Sequence, residues 1–173
     1  MALAGRASST FRYLMDCFWT GAYERFVGQN DVEIVPPFSL KDVDGRRRSL
    51  DDFLDKPTLL VFTSPHCQPC KSVYPVLRAM RHGSEADAVN LVLLSRGATS
   101  TNRALVEENE LEGVTVLGSR KPVEERLDVQ ATPWVVLVGP GARALYSGVA
   151  EPTVLTMLAE AATHRVMAAG FAR

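Results

Sequence analysis

The sequence predicts an α/β fold: a mixed β-sheet flanked by helices, with an N-terminal β-hairpin and an N-terminal helical extension. Three observations carry this reading. From Thr58 to Leu127, short apolar runs alternate with amphipathic stretches, the pattern of parallel strands joined by crossover helices. From Pro133 to Ser147, two further strands flank the turn signal Gly139-Pro140-Gly141 and add an antiparallel hairpin at one side of the sheet. Between Thr10 and Gly28 the apolar residues recur every three or four positions, which sets that segment apart as a helix. The chain therefore divides into an extension at 1–30 and an α/β domain at 31–173.

The elements follow in order. In the extension, Phe11, Leu14, Met15, Phe18, Ala22 and Phe26 form one stripe, with Ser8, Ser9 or Thr10 as cap and Gly28 as stop. Such a stripe packs on the main domain, mediates a dimer or lies on a membrane surface. Its mix of Asp16, Glu24, Arg12 and Arg25 is less basic than a membrane-surface helix requires. Pro36-Pro37 demands extended backbone, and Asp44-Gly45 marks a turn between two short strands. Ser49–Leu54 reads as one helical turn capped by Ser49. Strands are expected at Thr58–Thr63, Val89–Leu94, Val114–Leu117, Pro133–Val138 and Ala144–Ser147. Helices are expected at Pro69–Arg81, kinked by Pro75, and at Thr101–Leu111, Lys121–Leu127 and Thr153–Ala168.

Composition narrows the function classes. The chain is 46% hydrophobic with a net charge of −1, as in soluble globular proteins. No concentrated basic face points to nucleic acid. Arg46-Arg47-Arg48 lies among Asp42, Asp44, Asp51 and Asp52 and reads as a solvated turn. No run approaches the roughly 18 apolar residues of a membrane span, and no apolar core follows Arg6 as a secretory leader requires. The visible chain reads as cytoplasmic, or as periplasmic or exported if a leader or anchor precedes it.

Three cysteines are present, Cys17, Cys67 and Cys70. That is too few for a disulfide scaffold, whereas a close pair suits redox chemistry. Cys67-Gln68-Pro69-Cys70 straddles a strand-to-helix junction, where residues three apart come within disulfide reach. Cys67 at the helix start faces unpaired N–H groups that stabilise a thiolate, the attacking species. Cys70, one turn on and more buried, is placed to resolve a mixed disulfide. His66, Gln68 and Pro69 tune the pair: a protonated His66 favours the thiolate, although it also reads as an exposed loop residue, and Pro69 fixes φ at the helix start. Lys71 adds a weaker positive field. Zinc sites also use CxxC, but the second half of a four-ligand set is missing, since Cys17, His82 and His164 are scattered. No cofactor or metal is implied. Cys17 reads as a buried core cysteine or, alternatively, a link to a second molecule.

The segment Phe62-Thr-Ser-Pro-His-Cys-Gln-Pro-Cys-Lys71, followed by Pro75-Val-Leu77, resembles the active-site strand and helix of thioredoxin-like proteins. Within them it is similar to the TlpA/ResA-like and MauD-like disulfide reductases. Phe38–Gly45 with Ser49–Phe53 resembles their N-terminal hairpin, Arg126–Pro133 the loop with their cis-proline, and Ala144–Gly148 their last hairpin strand. The resemblance runs from about Val32 to Ala168 in the same order. It implies a cis Thr132–Pro133 bond beside the cysteines, with that loop docking an extended client peptide. Trp134 then lines the groove or packs in the core. Three positions depart from the family: His66 replaces a Trp, Val61 stands where thioredoxin has a buried Asp, and Tyr74 before Pro75 leaves the TlpA helix glutamate unmatched. A peroxiredoxin reading is weaker, because Ser64 holds the place of their Thr and Cys70 is paired.

The function expected is a thiol–disulfide oxidoreductase exchanging disulfides with a protein client and a redox partner. The alternatives are a copper or other metal carrier on Cys67 and Cys70 and a non-catalytic interaction module. Redox direction and oligomeric state are not encoded in these motifs.

Overall fold

The computed structural model of the chain describes residues 34–83 and 86–168. The helix predicted over 10–28, its caps, Cys17 and the boundary at residue 30 lie outside the described residues.

The run TLLVFT forms strand β3 (Thr58–Thr63), in which every residue is buried. A strand apolar on both faces must be covered on both, and β3 is the central strand of five. It pairs in parallel with β4 (Asn90–Ser95), which pairs in parallel with β5 (Thr115–Gly118). On its other side β3 pairs antiparallel with β6 (Trp134–Val138), and β6 with β7 (Ala144–Val149). The order is β5-β4-β3-β6-β7, the mixed sheet that the alternation and the closing hairpin predict. Strand β6 opens at Trp134 rather than at Pro133, since proline has no N–H for the ladder.

A two-stranded hairpin, β1 (Ser39–Lys41) with β2 (Arg47–Ser49), precedes the sheet. Asp42 Oδ1 accepts the N–H groups of Asp44 (3.0 Å) and Arg46 (2.8 Å), and Gly45 supplies φ +81° for the reversal. The next segment, Leu50–Phe53, is a single 3-10 turn, and the Asp52 carboxylate accepts the Ser49 N–H at 2.9 Å. Arg48 pairs with Asp52 at 3.3 Å and lies over the Phe53 ring. Phe38, Leu40, Leu50 and Phe53 join Phe62, Leu94, Leu117 and Trp134 in one apolar cluster. This cluster takes Val123 and Leu127 from helix α3 (Lys121–Arg126) and the residue after it.

The helices are α1 (Tyr74–His82), α2 (Thr99–Glu108), α3 and α4 (Pro152–Ala168). Helix α2 begins and ends a little earlier than its apolar spacing predicts. The larger difference concerns the segment after the cysteines. The predicted kinked helix Pro69–Arg81 is instead a 3-10 turn, Pro69–Ser72, and then a separate helix, α1. Pro75 has no N–H to give the Lys71 carbonyl, and its ring crowds that carbonyl, so an α-helix cannot run through the position. In the first turn of α1 the same residue is tolerated. Among the described residues no helix is long and apolar enough to cross a membrane.

Parallel β3, β4 and β5 all end on one side of the sheet, where antiparallel β6 begins. Ser64, Arg96, Ser119 and Pro133 follow or precede those strand ends and define the functional end of the sheet.

Candidate active site

Cys67 and Cys70 are joined by a disulfide with Cα atoms 5.3 Å apart, within the ordinary range for such bonds. The chain reaches this geometry by local turns. The Cys67 N–H bonds the Ser64 carbonyl at 3.0 Å, and the Cys70 N–H bonds the Cys67 carbonyl at 3.2 Å. The same Cys70 N–H lies 3.2 Å from Cys67 Sγ. Cys67 is half-buried and Cys70 is fully buried, the asymmetry expected of an attacking and a resolving sulfur. The source of positive potential differs from the prediction. The turn next to Cys67 is 3-10, and α1 begins only at Tyr74, so a single amide, not the end of a long helix dipole, addresses the sulfur.

The loop after α3 closes over this pair. The Thr132–Pro133 peptide bond is cis. The Thr132 carbonyl oxygen lies 3.4 Å from Cys67 Sγ. In the disulfide Sγ carries no proton, so this is a contact; a reduced Cys67 has an S–H to donate there. Pro133 is buried, and its carbonyl accepts the Ala150 N–H at 3.0 Å, which ties the loop to the end of β7. Trp134 belongs to the core, with its Nε1–H donating to Ser147 Oγ at 2.9 Å, so packing is its use. The structure thus brings Cys67, Cys70, Thr132 and Pro133 together. His66, Gln68 and Pro69 are all exposed around the first sulfur.

Two features escape the sequence reading. Glu124 of α3 is 2% exposed. Its Oε2 accepts from Arg96 Nε at 2.7 Å and Arg96 Nη2 at 2.5 Å, and its Oε1 accepts from Ser119 Oγ at 2.6 Å. The Glu124 hydrogen bond raises the Arg96 pKa further above its ordinary value, against a smaller lowering by burial. The available signal is position: Glu124 lies between Val123 and Leu127, on the buried side of a short helix. The second feature is Tyr74, buried at the start of α1. Burial raises its pKa, and the Thr63 hydroxyl partly opposes that rise. Val61, where thioredoxin has an acid, is buried as well. Among the described residues no group of three or more His, Cys, Asp or Glu is arranged to hold a metal ion.

A mixed sheet with this strand order, carrying a CxxC disulfide against a cis-proline loop, defines a thioredoxin-like redoxin. The chain belongs to the AhpC/TSA family, whose profile matches residues 32–158. Among curated proteins it is similar to the methylamine utilization protein MauD of Paracoccus versutus. The two are 27% identical over 111 residues, which is 64% of this chain and 54% of that protein. The match thus spans about half the length of that relative. Among solved structures, the thioredoxin domain of a thiol-disulfide oxidoreductase from Bacteroides vulgatus superposes with a TM-score of 0.67 at 18% identity, covering 76% of this chain and 96% of that one. A secreted disulfide oxidoreductase from Mycobacterium tuberculosis gives a TM-score of 0.61 at 19% identity, covering 72% and 95%.

Proposed function

We propose that this chain exchanges disulfides with a protein client through Cys67 and Cys70. The observation that carries the proposal is the Cys67–Cys70 disulfide itself, one sulfur reachable and the other fully buried, seated against the Thr132 carbonyl. In the reducing direction the Cys67 thiolate attacks a client disulfide, forming one S–S bond and releasing a client thiolate. Cys70 then loses its proton and attacks Cys67 Sγ, closing the intramolecular disulfide and releasing the second client thiol. A redox partner regenerates the dithiol. In the oxidising direction the same bonds are made and broken in reverse.

In this reading the backbone at Thr132 and Pro133 docks the client in extended form. His66, Gln68 and Pro69 tune the couple from the solvent side. A peroxidatic role gains nothing from the geometry, because Cys67 is already paired and Ser64 holds the position three before it. We place the work in an oxidising compartment outside the cytoplasm; the similar Mycobacterium tuberculosis oxidoreductase is secreted.

The test is a trap. A Cys70→Ser variant lacks the resolving sulfur and accumulates mixed disulfides between Cys67 and clients, read as mass-shifted adducts that disappear on reduction. Trapping through Cys70 in a Cys67→Ser variant, with none through Cys67, reverses the two roles. No adduct from either variant, with both folded, sinks the exchange reading.

A further inference from the structure

We propose that Arg96, Glu124 and Ser119 form a positioning device that holds the Thr132–Pro133 loop at the spacing from Cys67 that an extended client needs. The inference rests on the exchange reading above and assigns residues that the active-site motifs do not contain.

A chain of hydrogen bonds links this network to both sides of the groove. Arg96 directly follows β4, and its N–H donates to the carbonyl of Thr63, the last residue of β3, at 3.1 Å. It is thereby fastened to the strand that delivers Cys67. Its side chain clasps Glu124 Oε2 with two nitrogens, at 2.7 and 2.5 Å. Ser119 directly follows β5; its N–H donates to the Ser95 carbonyl at 2.9 Å, and its hydroxyl donates to Glu124 Oε1 at 2.6 Å. Three strand ends therefore converge on one carboxylate. The main chain of Glu124 carries the constraint onward, since its carbonyl accepts the N–H of Leu127 at 3.2 Å and of Val129 at 3.0 Å. A few residues later Thr132 meets Cys67 Sγ. The network ties the two walls of the groove, the cysteine loop and the cis-proline loop, to a common point.

The energetics favour a positional use over a purely stabilising one. An ion pair whose carboxylate is buried contributes little net stability compared with an apolar replacement, because desolvation of that carboxylate offsets the attraction. What it does supply is direction: two guanidinium N–H groups donating to one carboxylate oxygen restrict its orientation. Helix α3 has only six residues and cannot define the loop's position through its own length. The Arg96 side chain is 51% exposed, so its outer face borders solvent at the functional end of the sheet.

The test uses the full chain in a Cys70→Ser background, with Glu124→Gln and separately Arg96→Lys. Two probes are compared at Cys67: an extended peptide whose cysteine is activated as a 2-thiopyridyl disulfide, and the small reagent 2,2′-dithiodipyridine, which needs no docking loop. Thiopyridone release is followed, and peptide mass assigns the adduct to Cys67. Glu124→Gln is expected to slow the peptide probe roughly tenfold and to leave the small reagent within about twofold, as for a misplaced but intact site. Arg96→Lys, which keeps the charge and loses the fork, is expected to fall between. A structural role alone would not separate the probes. Folded variants that keep the parent's ratio of the two rates overturn the positioning inference. So does a parent with no preference for the peptide. If Glu124→Gln does not fold, the ratio in Arg96→Lys decides alone. A parent whose Cys67 reacts with neither probe faster than free cysteine defeats the exchange reading instead.

Discussion

Tyr74 illustrates how a single side chain gains its chemistry from placement. It is buried just after the cysteine turn, and burial holds its pKa above the ordinary value near 10 while Thr63 pulls the other way. A phenol whose folded pKa is raised keeps its proton longer than in the unfolded chain. The unfolded state therefore binds fewer protons above about pH 10, and stability falls as pH rises through that window. Below about pH 9 the group is protonated in both states and contributes no pH dependence. Urea midpoints for Tyr74→Phe are expected to lose less between about pH 9 and pH 11 than those of the wild type. A Phe variant with an equally steep alkaline limb would assign that limb to other groups, Tyr146 first, since burial and the Glu151 charge raise its pKa as well. In the sequence Tyr74 is only the residue before Pro75, because a tyrosine in an apolar helix does not announce whether its hydroxyl is covered.

Among the helices, Pro75 sets the backbone after the cysteines. Spacing of Val73, Val76, Leu77 and Met80 correctly marks a helical face, and Val73, Leu77 and Met80 are buried. Periodicity cannot separate a kinked helix from a 3-10 turn and a fresh start, since both present nearly the same stripe. Pro75→Ala restores an N–H four residues after Lys71, and the expected outcome is one continuous α-helix from about Pro69. Hydrogen exchange should then show a protected amide at residue 75 and slower exchange at Val73 and Tyr74. Fast exchange at the new amide would mean that the 3-10 turn is imposed by the disulfide and by packing of Cys70, not by the proline.

Across the entire fold, the dithiol couples redox state to stability. Closing a four-residue loop restricts the unfolded chain by about 2 kcal/mol on the chain-entropy estimate. Cys70 is fully buried, and the charged residue next to it in sequence, Lys71, is exposed. A buried thiolate there is unfavourable, so the oxidised protein is expected to be the more stable form, by about 2 kcal/mol or somewhat less. Paired urea titrations of oxidised and reduced protein test this. A more stable reduced form identifies the site as an oxidant, because stabilising the dithiol raises the potential.

Much of this protein is legible in one dimension. The buried strand TLLVFT, the hairpin turn at Asp44-Gly45, the order of strands and helices, and the Cys67–Cys70 spacing follow from short-range rules: apolar period, turn chemistry and the reach of residues three apart. The Thr132–Pro133 loop is legible through its resemblance to a known active site. What the tertiary structure alone decided is which distant residues meet at the end of the sheet. Arg96 is far from Ser119 and Glu124 in the chain; Arg96 and Ser119 look in sequence like ordinary surface residues, and Glu124 shows only its place on the apolar side of a short helix, not its partners. Only the parallel packing of β3, β4 and β5, which ends three strands together and lays α3 across them, turns Glu124 inward and gives it two partners. Burial and pairing of charge are properties of neighbours in space, and one-dimensional patterns carry no term for them.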